Sequence, residues 1–101
     1  MIDFQKMRRL IPAEKRLREA MQKQTDETAL TEAHDKIRAE LDEQQNELRE
    51  ALKQCEAGTM RTFLELRYLQ GMTAREIATA LNYSEQYVSR ILKRGEQETI
   101  I

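Results

Sequence analysis

The side chains best placed to do chemistry lie between Ser84 and Arg94. Glu85, Gln86, Ser89, Arg90 and Lys93 fall on one side of a helical repeat whose other side is Val88, Ile91 and Leu92. The chemistry they suit is recognition. A glutamine amide matches the N6/N7 edge of adenine, a carboxylate accepts from cytosine N4, and an arginine fork spans O6 and N7 of guanine. Hydrogen-bonding groups early in the stretch and cations toward its end are what a helix in the major groove of duplex DNA requires, base edges at its first turns and phosphate beside them. Catalysis is not expected: the chain has one histidine, His34, and one cysteine, Cys55, with no Gly-rich phosphate loop and no H-E-x-x-H string. No cofactor or metal is expected either.

A recognition helix has to be held by a second helix at a steep angle, and the preceding residues supply the punctuation. Gly71 takes the left-handed conformation that closes a helix ending near Gln70. Thr73 opens the next helix, and Glu76 three residues on completes a capping box in T-A-R-E. Ile77, Ala78 and Leu81 form its inward stripe. Asn82, which tolerates positive φ, and Ser84, an N-cap residue, mark the second turn and the start of the recognition helix.

These residues resemble region 4 of bacterial sigma factors and the related LuxR-type helix-turn-helices, over roughly residues 58 to 97. The resemblance rests on Leu66-Arg67-Tyr68, Gly71, Thr73-Ala74-Arg75-Glu76-Ile77-Ala78, Ser84, and Val88 with Ile91. It implies that Glu85, Gln86, Ser89 and Arg90 read bases, that Ser84 caps the reading helix, and that Thr73, Lys93 and Arg94 face phosphate. One departure stands out: Glu85 and Gln86 occupy places where the family often has a cation. The layout as a whole, a charged helical front half followed by such a domain, is similar to small phage and prophage regulators of the ArpU type. That resemblance implies double-stranded DNA and RNA polymerase as partners.

Composition sets the frame. The 101 residues are 35% charged and 5% aromatic without tryptophan, which favours an elongated all-α protein. Seventeen Lys and Arg face eighteen Asp and Glu, so overall charge argues only weakly for nucleic acid. Residues 58–101 hold six cations against five anions, a net of +1, and residues 1–57 eleven against thirteen, a net of −2. A lone cysteine excludes a disulfide framework, and no apolar run reaches membrane-spanning length, so a cytoplasmic protein without membrane contact is expected.

Residues 1–57 carry a different pattern and are expected to form a helical hairpin or coiled coil ahead of a helix-turn-helix domain in 58–101. Positions 30, 34, 37, 41, 44, 48, 51 and 55 step by four and three and read Leu, His, Ile, Leu, Gln, Leu, Ala, Cys. Leu30, Ile37, Leu41 and Leu48 are the candidate oligomerisation residues; packing within one chain and a homodimer are equally weighted. His34 reads as a packing or register residue, and Cys55 as a small buried residue near the helix end. Upstream, Met7, Leu10, Glu14, Leu17, Met21 and Gln24 follow the same steps on a helix interrupted or begun at Pro12. Thr25-Asp26-Glu27-Thr28 is either a tight turn, with Asp26 or Thr28 as cap, or part of one continuous helix, the hairpin being favoured.

Two rival functions have sequence support. Glu85 and the absent basic patch favour a protein-binding adaptor or decoy that acts on RNA polymerase or another regulator without reading DNA. A helix-turn-helix joined to an oligomerising coil also suits a packaging component similar to a phage small terminase subunit, although those place the DNA-binding part first.

Overall fold

The computed structural model describes residues 1–23 and 28–99. Helix α1 spans Phe4–Lys23 and α2 spans Thr28–Lys53. Helix α3, Thr59–Leu64, runs on into a π-helical turn, Glu65–Leu69; α4 is Ala74–Leu81 and α5 is Glu85–Thr99. The expected turn at residues 25–28, including the Asp26 cap, falls on or next to residues outside those described.

Helix α1 starts at Phe4 because Asp3 caps it: the Asp3 carboxylate accepts from the Lys6 N–H at 2.9 Å. It then runs through Pro12 without a break, so the expected interruption there does not occur. Pro12 lies on the exposed side of the helix, where water can satisfy the carbonyl it leaves unbonded, while Met7, Ile11 and Glu14 hold the other side in place. Helices α1 and α2 are antiparallel. The N-terminal ammonium meets Glu47 at 3.2 Å, and Glu14, half-way along α1, meets His34 at 2.8 Å.

The root of this pair and the C-terminal helices share one core. Phe4, Met7 and Ile11 of α1 and Leu41, Leu48 and Leu52 of α2 join Phe63, Leu64, Tyr68, Ile77, Val88 and Leu92. The α2 seam therefore packs within the chain at its C-terminal end, with Leu41 and Leu48 essentially inaccessible. Toward the other end Leu17, Met21, Leu30 and Ile37 are only half-buried, because there the two helices have just each other to pack on. The seam's last position fails for a geometric reason: α2 ends at Lys53, so Cys55 lies beyond the helix and is exposed, not buried as its place in the repeat suggests.

A chain of polar contacts ties the hairpin to the C-terminal half. His34 Nε2 and Arg38 Nη1 both approach the buried Glu14 carboxylate, at 2.8 and 3.5 Å. Arg38 Nη2 donates to Gln45 Oε1 at 2.7 Å, and Gln45 Nε2 donates to the Tyr68 carbonyl at 2.8 Å. That carbonyl needs an outside donor, since in the widened π turn the Gln70 and Met72 amides go to Glu65 and Leu66 instead. Gln44, polar on the seam, is likewise used: it accepts the Asp3 N–H at 2.7 Å and fixes the register of α1 on α2. His34 thus acts as the packing residue expected of it, anchored on Glu14.

Candidate nucleic-acid interface

The π turn ends at Gly71, whose φ of 76° lies in the left-handed region that side chains disfavour. The chain can then reverse into α4, where Thr73 Oγ1 accepts from the Glu76 N–H and Glu76 Oε1 accepts from the Thr73 N–H, both at 3.1 Å. The capping box is complete. Two donated hydrogen bonds, from the Thr73 backbone and then its hydroxyl, hold the Glu76 carboxyl below its ordinary range, with Lys15 and Arg67 adding smaller contributions. Helix α4 ends at Asn82 with φ 63° and ψ 43°, the one non-glycine residue with positive φ among the described residues. The Tyr83 N–H reaches back to the Ala78 carbonyl at 2.9 Å. Ser84 Oγ accepts the Tyr87 N–H at 3.1 Å and starts α5.

Inward packing fixes the angle between α4 and α5. Ile77 and Val88 are fully buried and Ala78 and Leu92 nearly so. Leu81, expected on the inward stripe, is 40% exposed because the chain leaves the helical path at the next residue. Three aromatics that the sequence reading passed over brace the turn instead. Phe63 meets Tyr83 and Tyr87 edge-on with ring centroids 5.6 and 6.1 Å apart, and the two tyrosines lie 5.1 Å from each other. Their i, i+4 spacing was a visible signal; the contact with Phe63 needed the fold.

The opposite side of α5 is open. Ser84, Glu85, Gln86, Ser89, Arg90, Lys93 and Arg94 are all exposed, as is Thr73 at the start of α4. The base-reading positions therefore share one solvent-facing surface, a turn apart along one helix. Thr73 is committed through its side chain to the cap. Arg94 pairs with Glu98 at 3.3 Å, whereas Arg90 and Lys93 form no ion pair with any described residue. The candidate oligomerisation residues lie elsewhere: Leu41 and Leu48 in the intrachain core, Leu30 and Ile37 half-buried between α1 and α2.

Behind this surface sits Tyr68, the largest fully buried side chain. Its ring packs on Phe4 at 4.9 Å, the Arg67 guanidinium lies 5.3 Å from its centroid, and its hydroxyl accepts from Arg8 at 2.8 Å. Arg8 also pairs with Glu96 of α5. Burial, reinforced by the negative charge of Glu96 and opposed by Arg8, pushes the Tyr68 hydroxyl up to about 12. Tyr68 is thus the joint at which α1, the π turn and the end of α5 meet. Gly95 makes a second close approach possible, since a Cβ there would stand 2.9 Å from Met60 Cγ.

Comparison with known proteins agrees with this geometry in the C-terminal part. Residues 58–97, 40 of the 101, match the family Sigma-70, region 4. This segment is a helix-turn-helix of the sigma-region-4 kind, carried on an all-α chain. Searches of curated proteins and of solved structures gave no match. No helix among the described residues is long and apolar enough to cross a membrane.

Proposed function

We propose that the chain is a sequence-specific DNA-binding regulator of transcription that lays α5 in the major groove. The observation that carries this reading is the division of α5 into a buried side, Val88 and Leu92, and an unobstructed side bearing Gln86, Ser89 and Arg90. Had the hairpin packed over that side, groove reading would have been impossible; it packs instead on Tyr68 and Glu96. The match to Sigma-70, region 4 supports RNA polymerase as a second partner, and the layout supports a phage-encoded, cytoplasmic, non-catalytic regulator. With Leu41 and Leu48 occupied inside the chain, a single copy is the reading unit, and a homodimer would need another surface.

Selection of bound sites from random DNA, combined with titration at several salt concentrations, tests the proposal. A groove reader returns a defined site, a single half-site for one copy, with affinity falling steeply as salt rises. Arg90→Ala should cost about 1–3 kcal/mol and relax preference at one base pair. Absence of DNA binding at every salt concentration would leave the adaptor or decoy as the better description.

A further inference from the structure

Charge that cancels along the chain is segregated in space. Helix α1 carries seven Lys and Arg against two Glu, a net of +5, whereas α2 carries four against seven, a net of −3. Three of the α1 cations are engaged: Lys6 with Glu40, Arg8 with Glu96 and Arg18 with Glu14. Arg9, Lys15 and Arg16 are exposed and make no ion pair with a described residue.

The position of α1 sets both its ends beside the helix-turn-helix, with Lys15 the nearest of the three to α4 and Arg9 and Arg16 exposed along the same helix. At one end Gln5 and Arg8 line the same groove as Lys93 on the open side of α5. Further along, Lys15 and Arg18 line a cleft with Gln70 and Gly71, the turn that leads into the cap of α4. Lys15 is close enough to α4 for its charge to act on Glu76. Helix α1 therefore spans from the late part of the reading helix to the beginning of the helix that supports it. In a helix-turn-helix bound to DNA the phosphate backbone passes these elements. From Arg9 to Arg16 the helix advances about 10 Å, about three steps of a DNA strand.

We propose that α1 is a second DNA-contacting element, with Arg9, Lys15 and Arg16 gripping the phosphate backbone of the duplex whose groove α5 reads. The proposal rests on the DNA-binding reading given above. It accounts for how a helix-turn-helix with a net of only +1 and an exposed Glu85 holds a polyanion: the missing cations are on the other half of the chain. Glu19 is the exposed anion on the same helix, and Glu14 is buried and paired.

The test is the salt dependence of binding to sonicated mixed-sequence duplex DNA, measured by fluorescence anisotropy for the full chain and two triple variants. The first is Arg9→Gln, Lys15→Gln, Arg16→Gln. The second, Lys36→Gln, Arg49→Gln, Lys53→Gln, removes the same charge from exposed positions on α2. Each phosphate contact contributes about 0.9 to the slope of log affinity against log salt. The first variant should be shallower by about 2–3 and return the same selected site, and the second should match the unaltered chain. Circular dichroism confirms folding, which these exposed side chains do not support. Equal flattening by both variants would show a net-charge effect and overturn the proposal, as would an unchanged slope or a changed selected site in the first. If the unaltered chain binds no DNA at any salt concentration, the DNA-binding reading and this proposal fall together; if it binds and the α1 variant behaves identically, only this one falls.

Discussion

Tyr68→Phe removes one oxygen from the joint between the two halves of the chain, and its effect should fade as pH rises. Near neutrality the substitution deletes the hydroxyl that accepts from Arg8 at 2.8 Å. A hydrogen bond to a charged donor contributes about 1.5–3 kcal/mol. Arg8 keeps Glu96 and is partly exposed to water, so the expected loss is about 1–2 kcal/mol. Burial pushes the hydroxyl from its ordinary value of 10.0 up to about 12 in the folded chain. The group therefore holds its proton more tightly when folded. Its contribution is fully present below pH 10 and is lost as pH rises toward 12. The full difference, about two pH units, corresponds to about 2.7 kcal/mol, about half of which should be gone at pH 11. Phenylalanine has no proton to lose. Urea unfolding of both proteins at pH 7, 9, 10 and 11 should show the unaltered chain more stable at pH 7 and the gap closing by about 1.4 kcal/mol at pH 11. All other side chains are common to the two proteins and cancel in the difference. A gap that stays constant from pH 7 to pH 11 would refute the argument, because it would mean that the hydroxyl is as solvated in the folded state as in the unfolded one.

Three further outcomes follow from local geometry. Gly71→Ala should destabilise by about 1–2 kcal/mol from backbone strain alone. The new methyl group stands at an ordinary 3.5 Å from Ile11 Cγ2, so a larger loss in thermal unfolding would point to a clash instead. Leu48→Ala should cost about 2–5 kcal/mol and leave the sedimentation mass unaltered, because Leu48 is buried within the chain; a fall in mass would restore the seam as a dimer contact. Thr73→Ala removes the hydroxyl half of the capping box and should cost about 0.5–2 kcal/mol. It should also raise the Glu76 titration toward the ordinary carboxylate range. The capped carboxylate stabilises the fold above pH 4.5 and loses that effect as pH falls through its lowered folded value; carbon-detected NMR of Glu76 reads the change directly.

Punctuation was the part most open to sequence reading. Gly71, Thr73 with Glu76, Asn82 and Ser84 have their expected conformations, because caps and left-handed turns depend on a few adjacent residues and on backbone sterics. The outward side of α5 was legible for a similar reason: once a helix is granted, spacing alone separates Gln86, Ser89 and Arg90 from Val88 and Leu92. Pro12 shows the limit of such local rules. Its penalty is local, but packing of α1 on both sides of it outweighs the break.

What surrounds the seam was settled by tertiary contact. A four-three repeat of apolar residues states that α2 has a sticky side and does not say whether a neighbouring helix of the same chain or a second copy will cover it. The structure covers Leu41 and Leu48 with α1 and the C-terminal core, held in register by Gln44 on Asp3 and Gln45 on the Tyr68 carbonyl. Charge followed the same logic. The sequence determined a nearly neutral chain, with cations gathered in α1 and anions in α2; only packing decided that the cationic helix lies against the helix-turn-helix, because Coulomb interactions depend on separation in space and are indifferent to separation along the chain.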